Sequence, residues 1–195
     1  MERFPYNTLN AENPGISGFG DLYQNINQMN LFISRTLHTD VLTESARNYY
    51  LGQVYGLRAY YMYQLYRSWG DVVFTEEPSL GFEVGKLAKA ATPAAEIFEQ
   101  VKKDIESSLS YFGSDYTIKE KKSLWSKAAT LMLKADVYLW SAHRDGGEGD
   151  ARTAKNALVD IQNNISRSNL DLMDTYQGVF AYDNKGNKAV SYTHL

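Results

Sequence analysis

The sequence contains no cysteine. Disulfide scaffolds, thiolate metal centres and cysteine nucleophiles are thereby excluded. Histidine is scarce: His38, His143 and His194 lie far apart, none within helical reach of another histidine or of an ordered carboxylate cluster, so no metal-ligand spacing exists. His143, near a predicted helix end, suits the negative pole of the helix dipole. No stretch approaches the roughly 18 apolar residues of a membrane span. The opening residues Met1-Glu2-Arg3-Phe4-Pro5 lack the basic-then-apolar order of a secretory signal. A basic excess is also missing: 20 Lys and Arg stand against 23 Asp and Glu, a net charge of −3. That balance gives no electrostatic case for nucleic acid or for an anionic membrane surface.

Catalytic patterns fail as well. Gly15-Ile16-Ser17-Gly18-Phe19 misses the nucleophile elbow, because Phe19 stands where glycine is required and no strand precedes it. Asp145, Glu148 and Asp150 are interspersed with glycines at positions a calcium loop fills with ligands, so a solvated turn is the better reading. Glu76, Glu77 and Glu83 are loop carboxylates with nothing nearby to tune them. Lys119-Glu120-Lys121-Lys122 reads as a solvated face. Neither an enzyme nor a cofactor protein is expected.

What is present is helical periodicity. Of the 195 residues 44% are hydrophobic, enough to build a core. Leu22, Ile26, Met29 and Ile33 recur at helical spacing after a loop-like start over 1–17. A long helix is predicted over 43–69, with a stripe of Tyr50, Val54, Leu57, Tyr61 and Leu65. Its other tyrosines fall off that stripe, so it should pack on several sides. Gly70 ends it and 71–74 forms a short extended exit, followed by a loop over 76–91. Thr92 as cap and Pro93 as first helical residue begin a helix through Ile97, Val101, Ile105 and Leu109 to a stop at Gly113. A further helix over 123–143 carries Ala128, Leu131, Ala135, Tyr138, Leu139 and Ala142. A glycine-rich turn follows, and Asp150 caps a helix bearing Ala154, Leu158, Ile161 and Ile165. A short helical turn is predicted around 170–176. The last two long helices form an antiparallel hairpin of weakly tetratricopeptide-like character, although no repeat of about 34 residues recurs. The fold class is all-α.

Tyrosine is abundant, with 15 Tyr against 8 Phe and 3 Trp. Most tyrosines sit at helical spacing and belong to the core. Aromatics in loops are different, because a flat ring stacks on the C–H face of a sugar and a hydroxyl or amide bonds its hydroxyls. Phe4, Tyr6, Phe19, Phe74 and Phe82 are the loop aromatics. By position and chemistry the candidate glycan-binding residues are Phe4, Tyr6, Asn7 and Asn10. Trp69 follows, with packing as its stronger reading.

Four segments carry a resemblance. Glu44-Ser45-Ala46-Arg47, then Gly56-Leu57-Arg58-Ala59-Tyr60-Tyr61, then Trp69-Gly70-Asp71-Val72-Val73-Phe74 resemble the signature of the SusD/RagB family, with Val73 replacing its usual proline. Phe19, Tyr23, Ile26 and Asn30 resemble its "W-x-x-x-Y-x-x-I-x-x-x-N" helix, with Phe19 for tryptophan. Ala94-Ala95-Glu96-Ile97-Phe98 to Asp104-Ile105 and Trp125-Ser126-Lys127-Ala128-Ala129 to Leu139 resemble two further helices. These motifs cover most of residues 19–160.

The resemblance implies a SusD-like helical array with tetratricopeptide-like hairpins. It also implies a non-catalytic, surface-exposed outer-membrane lipoprotein that binds oligosaccharide and delivers it to a TonB-dependent, SusC-like transporter. The membrane attachment it implies is an N-terminal lipid anchor. The alternative is a tetratricopeptide-like scaffold that binds protein and no sugar. Family members begin with a signal peptide and a lipidated cysteine and are far longer. Residues 1–189 are therefore expected to be a helical region truncated at both ends. Residues 190–195, Val190-Ser191-Tyr192-Thr193-His194-Leu195, match one translated frame of a transposon-type sequencing adapter and are expected to be a non-native tail.

Overall fold

A computed structural model describes residues 18–81, 88–119, 122–181, 183 and 187–189. The first predicted loop and the 190–195 tail lie outside the described residues. Five long helices carry the fold: α1 (Gly20–Leu37), α2 (Glu44–Trp69), α3 (Ala94–Phe112), α4 (Lys127–Ser141) and α5 (Gly147–Asn163). Two short helices, α6 (Ile165–Ser168) and α7 (Tyr176–Phe180), follow. The helical turn predicted around 170–176 thus falls later, where Thr175 caps α7 by accepting the Gly178 N–H.

α1 buries Ile26, Met29 and Ile33, as its spacing predicts. α2 starts where Thr43 accepts the Ala46 N–H and stops at Gly70, whose φ of +74° suits glycine. Its predicted stripe faces the core only in part, with Leu65 alone fully buried. Tyr50 is exposed, Val54, Leu57 and Tyr61 are only partly buried, and the core side is Leu51, Ala59, Met62, Tyr63 and Leu65. The helix is apolar almost all round, so periodicity selects no face. Close approach selects it instead. A Cβ on Gly56 would stand 2.1 Å from Trp125 Nε1, and one on Gly52 2.9 Å from Phe112 Cγ. These two glycines are the notches into which neighbouring aromatics fit.

α3 corrects a second expectation. Thr92 does not cap it. Thr92 exchanges two backbone hydrogen bonds with Val72 (3.2 and 2.8 Å), an isolated antiparallel bridge that confirms the extended exit. Pro93 takes the cap position, and the Ala94 N–H is satisfied by Asp71 Oδ1 at 2.8 Å. The capping carboxylate therefore comes from 23 residues upstream. α3 buries Ile97, Val101 and Ile105 completely and ends at Gly113.

α4 begins at Lys127 rather than 123, because Trp125 is drawn into the α2 notch and Ser126 is extended, its hydroxyl accepting the Ala129 N–H. The predicted glycine turn is a π-helical segment, Ala142–Gly146, that runs directly into α5 at Gly147 (φ +54°). Asp150 lies in the first turn of α5 and not at its cap, a position that still suits the positive helix pole. Leu131 and Ala135 of α4 pack on Ala154 and Ala157 of α5, the antiparallel hairpin foreseen. Leu139 and Leu158, predicted inward, face solvent instead, since the buried side of this pair is set by alanines small enough to let the helices close.

Candidate functional site

Three side chains from the separate motifs meet at the centre of α1, α2 and α3. Arg58 Nε and Nη2 donate to both carboxylate oxygens of Asp104, each at 2.7 Å, and Nη1 donates to Asn30 Oδ1 at 2.8 Å. All three residues are 2% exposed or less. Burial by itself would lower the Arg58 pKa, but the Asp104 bonds outweigh it and raise it. Burial in turn raises Asp104 above the usual carboxylate range, against the pull of Arg58 and Gln100. Asp104 is thus a perturbed carboxylate wholly committed to an ion pair, which is a structural assignment and not a catalytic one.

This hub reaches outward to the segment 71–79, here termed the strap. The second end of the Asn30 amide donates to the Thr75 carbonyl at 2.6 Å. Glu76 accepts from Gln100 Nε2 at 3.1 Å and from Lys103 Nζ at 3.3 Å. Tyr23 donates its hydroxyl to the Val73 carbonyl at 2.8 Å. Asn27 pairs with Ser79 twice: its amide donates to the Ser79 carbonyl (3.3 Å) and accepts the Ser79 N–H (2.7 Å). Between α1 and the strap lies a groove of about 350 Å³ with Tyr23, Ile26 and Phe74 in its wall and Gln24 and Lys89 at its edge. That volume falls in the roughly 300–1,000 Å³ range of small-molecule sites. Aromatic and aliphatic walls beside an amide and an ammonium suit a sugar ring.

Of the residues picked from sequence, Phe4, Tyr6, Asn7 and Asn10 lie outside the described residues, as does Phe82. Trp69 is partly buried at the end of α2, with Phe19 edge-to-face on it at 5.7 Å. Phe19 in turn meets Tyr23 edge-to-face at 5.5 Å. The three rings close one corner of the bundle, beside the groove that Tyr23 lines. Phe74 does line the groove. The residues missed are Gln24 and Asn27, together with the strap-holding role of Tyr23 and Asn30. A usable signal was present: Tyr23, Asn27 and Asn30 share one helical face, and asparagine is a poor helix former whose presence there asks for a side-chain role.

A second concavity of about 420 Å³ lies where the start of α2 meets the end of α3, lined by residues that include Ser45, Asn48, Tyr49 and Tyr111. Among the described residues no three His, Cys, Asp or Glu side chains gather where they could hold a metal. No helix among them is long and apolar enough to cross a membrane.

The fold and these clefts define a helical scaffold whose polar core fixes concave surfaces. Comparison with known proteins places it further. The chain belongs to the SusD-like family described as "Starch-binding associating with outer membrane", whose profile matches residues 6–139. NanU of B. fragilis is 48% identical, with a TM-score of 0.86 over 98% of this chain and 37% of that one. A SusD superfamily protein from Bacteroides vulgatus is 44% identical, with a TM-score of 0.85 over 98% of this chain and 38% of that one. SusD-like protein P38 of Formosa agariphila is 34% identical over 113 residues, 56% of this chain and 20% of that protein. The chain thus spans less than half the length of these relatives.

Proposed function

We propose that this chain forms the helical scaffold of a non-catalytic glycan-binding protein at the outer-membrane surface. The whole protein is a surface-exposed lipoprotein that captures oligosaccharide and delivers it to a TonB-dependent, SusC-like transporter. The observation that carries this reading is family membership over residues 6–139, under a description that names starch binding and the outer membrane. The groove between α1 and the strap supports it chemically, offering ring faces at Tyr23 and Phe74 and polar contacts at Gln24 and Lys89. The non-catalytic part is supported by the commitment of the buried carboxylate Asp104 to Arg58.

Affinity electrophoresis of the full-length protein tests the reading. Migration should be retarded in gels containing at least one polysaccharide of a broad panel, and Phe74→Ala should relieve that retardation. Unretarded migration across the whole panel, with a protein partner recovered from membranes, would favour a sugar-indifferent scaffold instead.

A further inference from the structure

The two concavities differ in what their polar groups are doing. In the α1 groove, Tyr23, Asn27 and Asn30 are spent on holding the strap. In the cleft between the start of α2 and the end of α3, the side chains of Ser45, Asn48 and Ser110 hydrogen-bond no other described residue. Ser45, Asn48 and Tyr49 lie on one face of α2, three and four residues apart. They confront Ser110 and Tyr111 at the end of α3. One face of Tyr111 is stacked on Tyr55, with centroids 5.6 Å apart and planes at 11°, which fixes its ring.

The charges at this cleft are mixed. Asp115 is tied down by the Thr117 hydroxyl (2.5 Å) and amide (3.0 Å) and by Lys119 Nζ (3.2 Å). Despite partial burial these partners hold its carboxyl below the usual range, so it stays ionised. The Lys119 ammonium also sits 3.9 Å from the centre of the Tyr49 ring. Glu44 adds a second carboxylate at the wall. An anionic ligand meets two carboxylates here, and the Lys119 ammonium beside them is already paired with Asp115. A neutral polyhydroxyl ligand finds donors and acceptors together, which is what a sugar, with both on every hydroxyl, requires.

From this convergence of unpartnered amide and hydroxyl side chains around a fixed tyrosine, we infer that the α2–α3 cleft is a second carbohydrate-binding site, selective for neutral over anionic sugars. The inference rests on the glycan-binding reading but uses a different surface. Two sites on one rigid scaffold bind a polymeric glycan with avidity that neither supplies alone.

Amide-resolved NMR titration of the full chain with glucose, maltotriose and glucuronate tests it. Maltotriose should shift the amides of 44–49 and 110–115, and glucuronate should bind there more weakly by about tenfold. Asn48→Trp, which fills the cleft, should weaken maltotriose binding there by at least about tenfold while leaving the Gln24 and Asn27 signals responsive. Ser45→Tyr, at an exposed position, provides a second plug should Asn48→Trp fail to fold. No shift at 44–49 and 110–115 with either glucose or maltotriose, or a shift that survives a folded plug, overturns the inference. A response confined to Gln24, Asn27 and Ser79 overturns it and leaves the α1 groove standing. A response confined to the cleft supports it and overturns the groove assignment.

Discussion

The α1–α3 block and the α4–α5 hairpin are both helical, yet they are held by different forces. In the block, one buried guanidinium joins all three helices through directional bonds to Asp104 and Asn30. In the hairpin, fully buried Ala154 and nearly buried Ala135 and Ala157 bring backbones together, and dispersion does the rest. The two meet at Gly52, Gly56, Ser108 and Thr130. There Ser108 donates to the Gly52 carbonyl (2.6 Å) and shares a hydrogen bond with Thr130 (2.9 Å), which also accepts from Trp125 (2.8 Å). The contrast teaches where precision is needed. The block carries the strap and the groove wall, so its geometry is fixed by bonds with direction. The hairpin is a support, for which size complementarity suffices.

The largest break should come at the hub. Asp104→Ala strands a buried guanidinium and should cost about 3–5 kcal/mol in urea denaturation. A paired Arg58→Met, Asp104→Leu variant should recover most of that, because both charges leave together. Next is the seam. Gly56→Ala drives a methyl into Trp125 and Thr130 and should cost about 3 kcal/mol, read as a lower denaturation midpoint with unchanged slope.

Alkaline titration compares the two regions directly. Tyr63 in the block is pushed up to about 12 by burial, and Tyr116 beside the hairpin to about 12 by burial and its bond to Asp160. The unfolded chain ionises these groups near 10.0, so between 10.0 and 12 the unfolded state binds fewer protons. Stability is then fully present below that window and falls as pH rises through it, by about 1.4 kcal/mol per pH unit per group. Tyr116→Phe and Tyr63→Phe should each remove one group's share of that slope, as measured by denaturation across the same window.

Ala154→Leu sharpens the comparison further. Overpacking should cost about 2 kcal/mol, with faster amide exchange confined to α4 and α5 while α2 and α3 keep their protection. The smallest effect is the most local. Asn27→Ala removes both bonds to Ser79 of the strap and touches no buried charge. It should cost about 1 kcal/mol and speed exchange at the Ser79 amide, leaving the helices unchanged. Equal loosening of α2 and α3 would show that Asn27 serves the core rather than the strap.

Much of the fold was legible because its signals are local. Gly70 and Gly113 as stops, and the spacing of Ile26, Met29 and Ile33 depend on neighbours in sequence. What failed depended on partners far along the chain. The α2 stripe was misjudged because an all-round apolar helix takes its facing from whichever neighbour can approach, and two glycines decided that. The α3 cap was misjudged because the carboxylate came from Asp71 across the strap. The groove was half legible: Phe74 stood out as a loop aromatic, whereas Tyr23 and Asn27 were hidden within a helix pattern.

By itself the sequence determined the all-helical class, the helix order and the family to which the chain belongs, since each rests on periodicity and short motifs that hold wherever the chain goes. Only the tertiary structure decided that Asn30, Arg58 and Asp104, from three motifs 28 and 46 residues apart, form one buried hub. It alone also decided which polar side chains are spent on packing and which are left facing a cleft. The reason is that a hydrogen bond is satisfied by proximity in space, and proximity between distant residues is set by how helices close on one another.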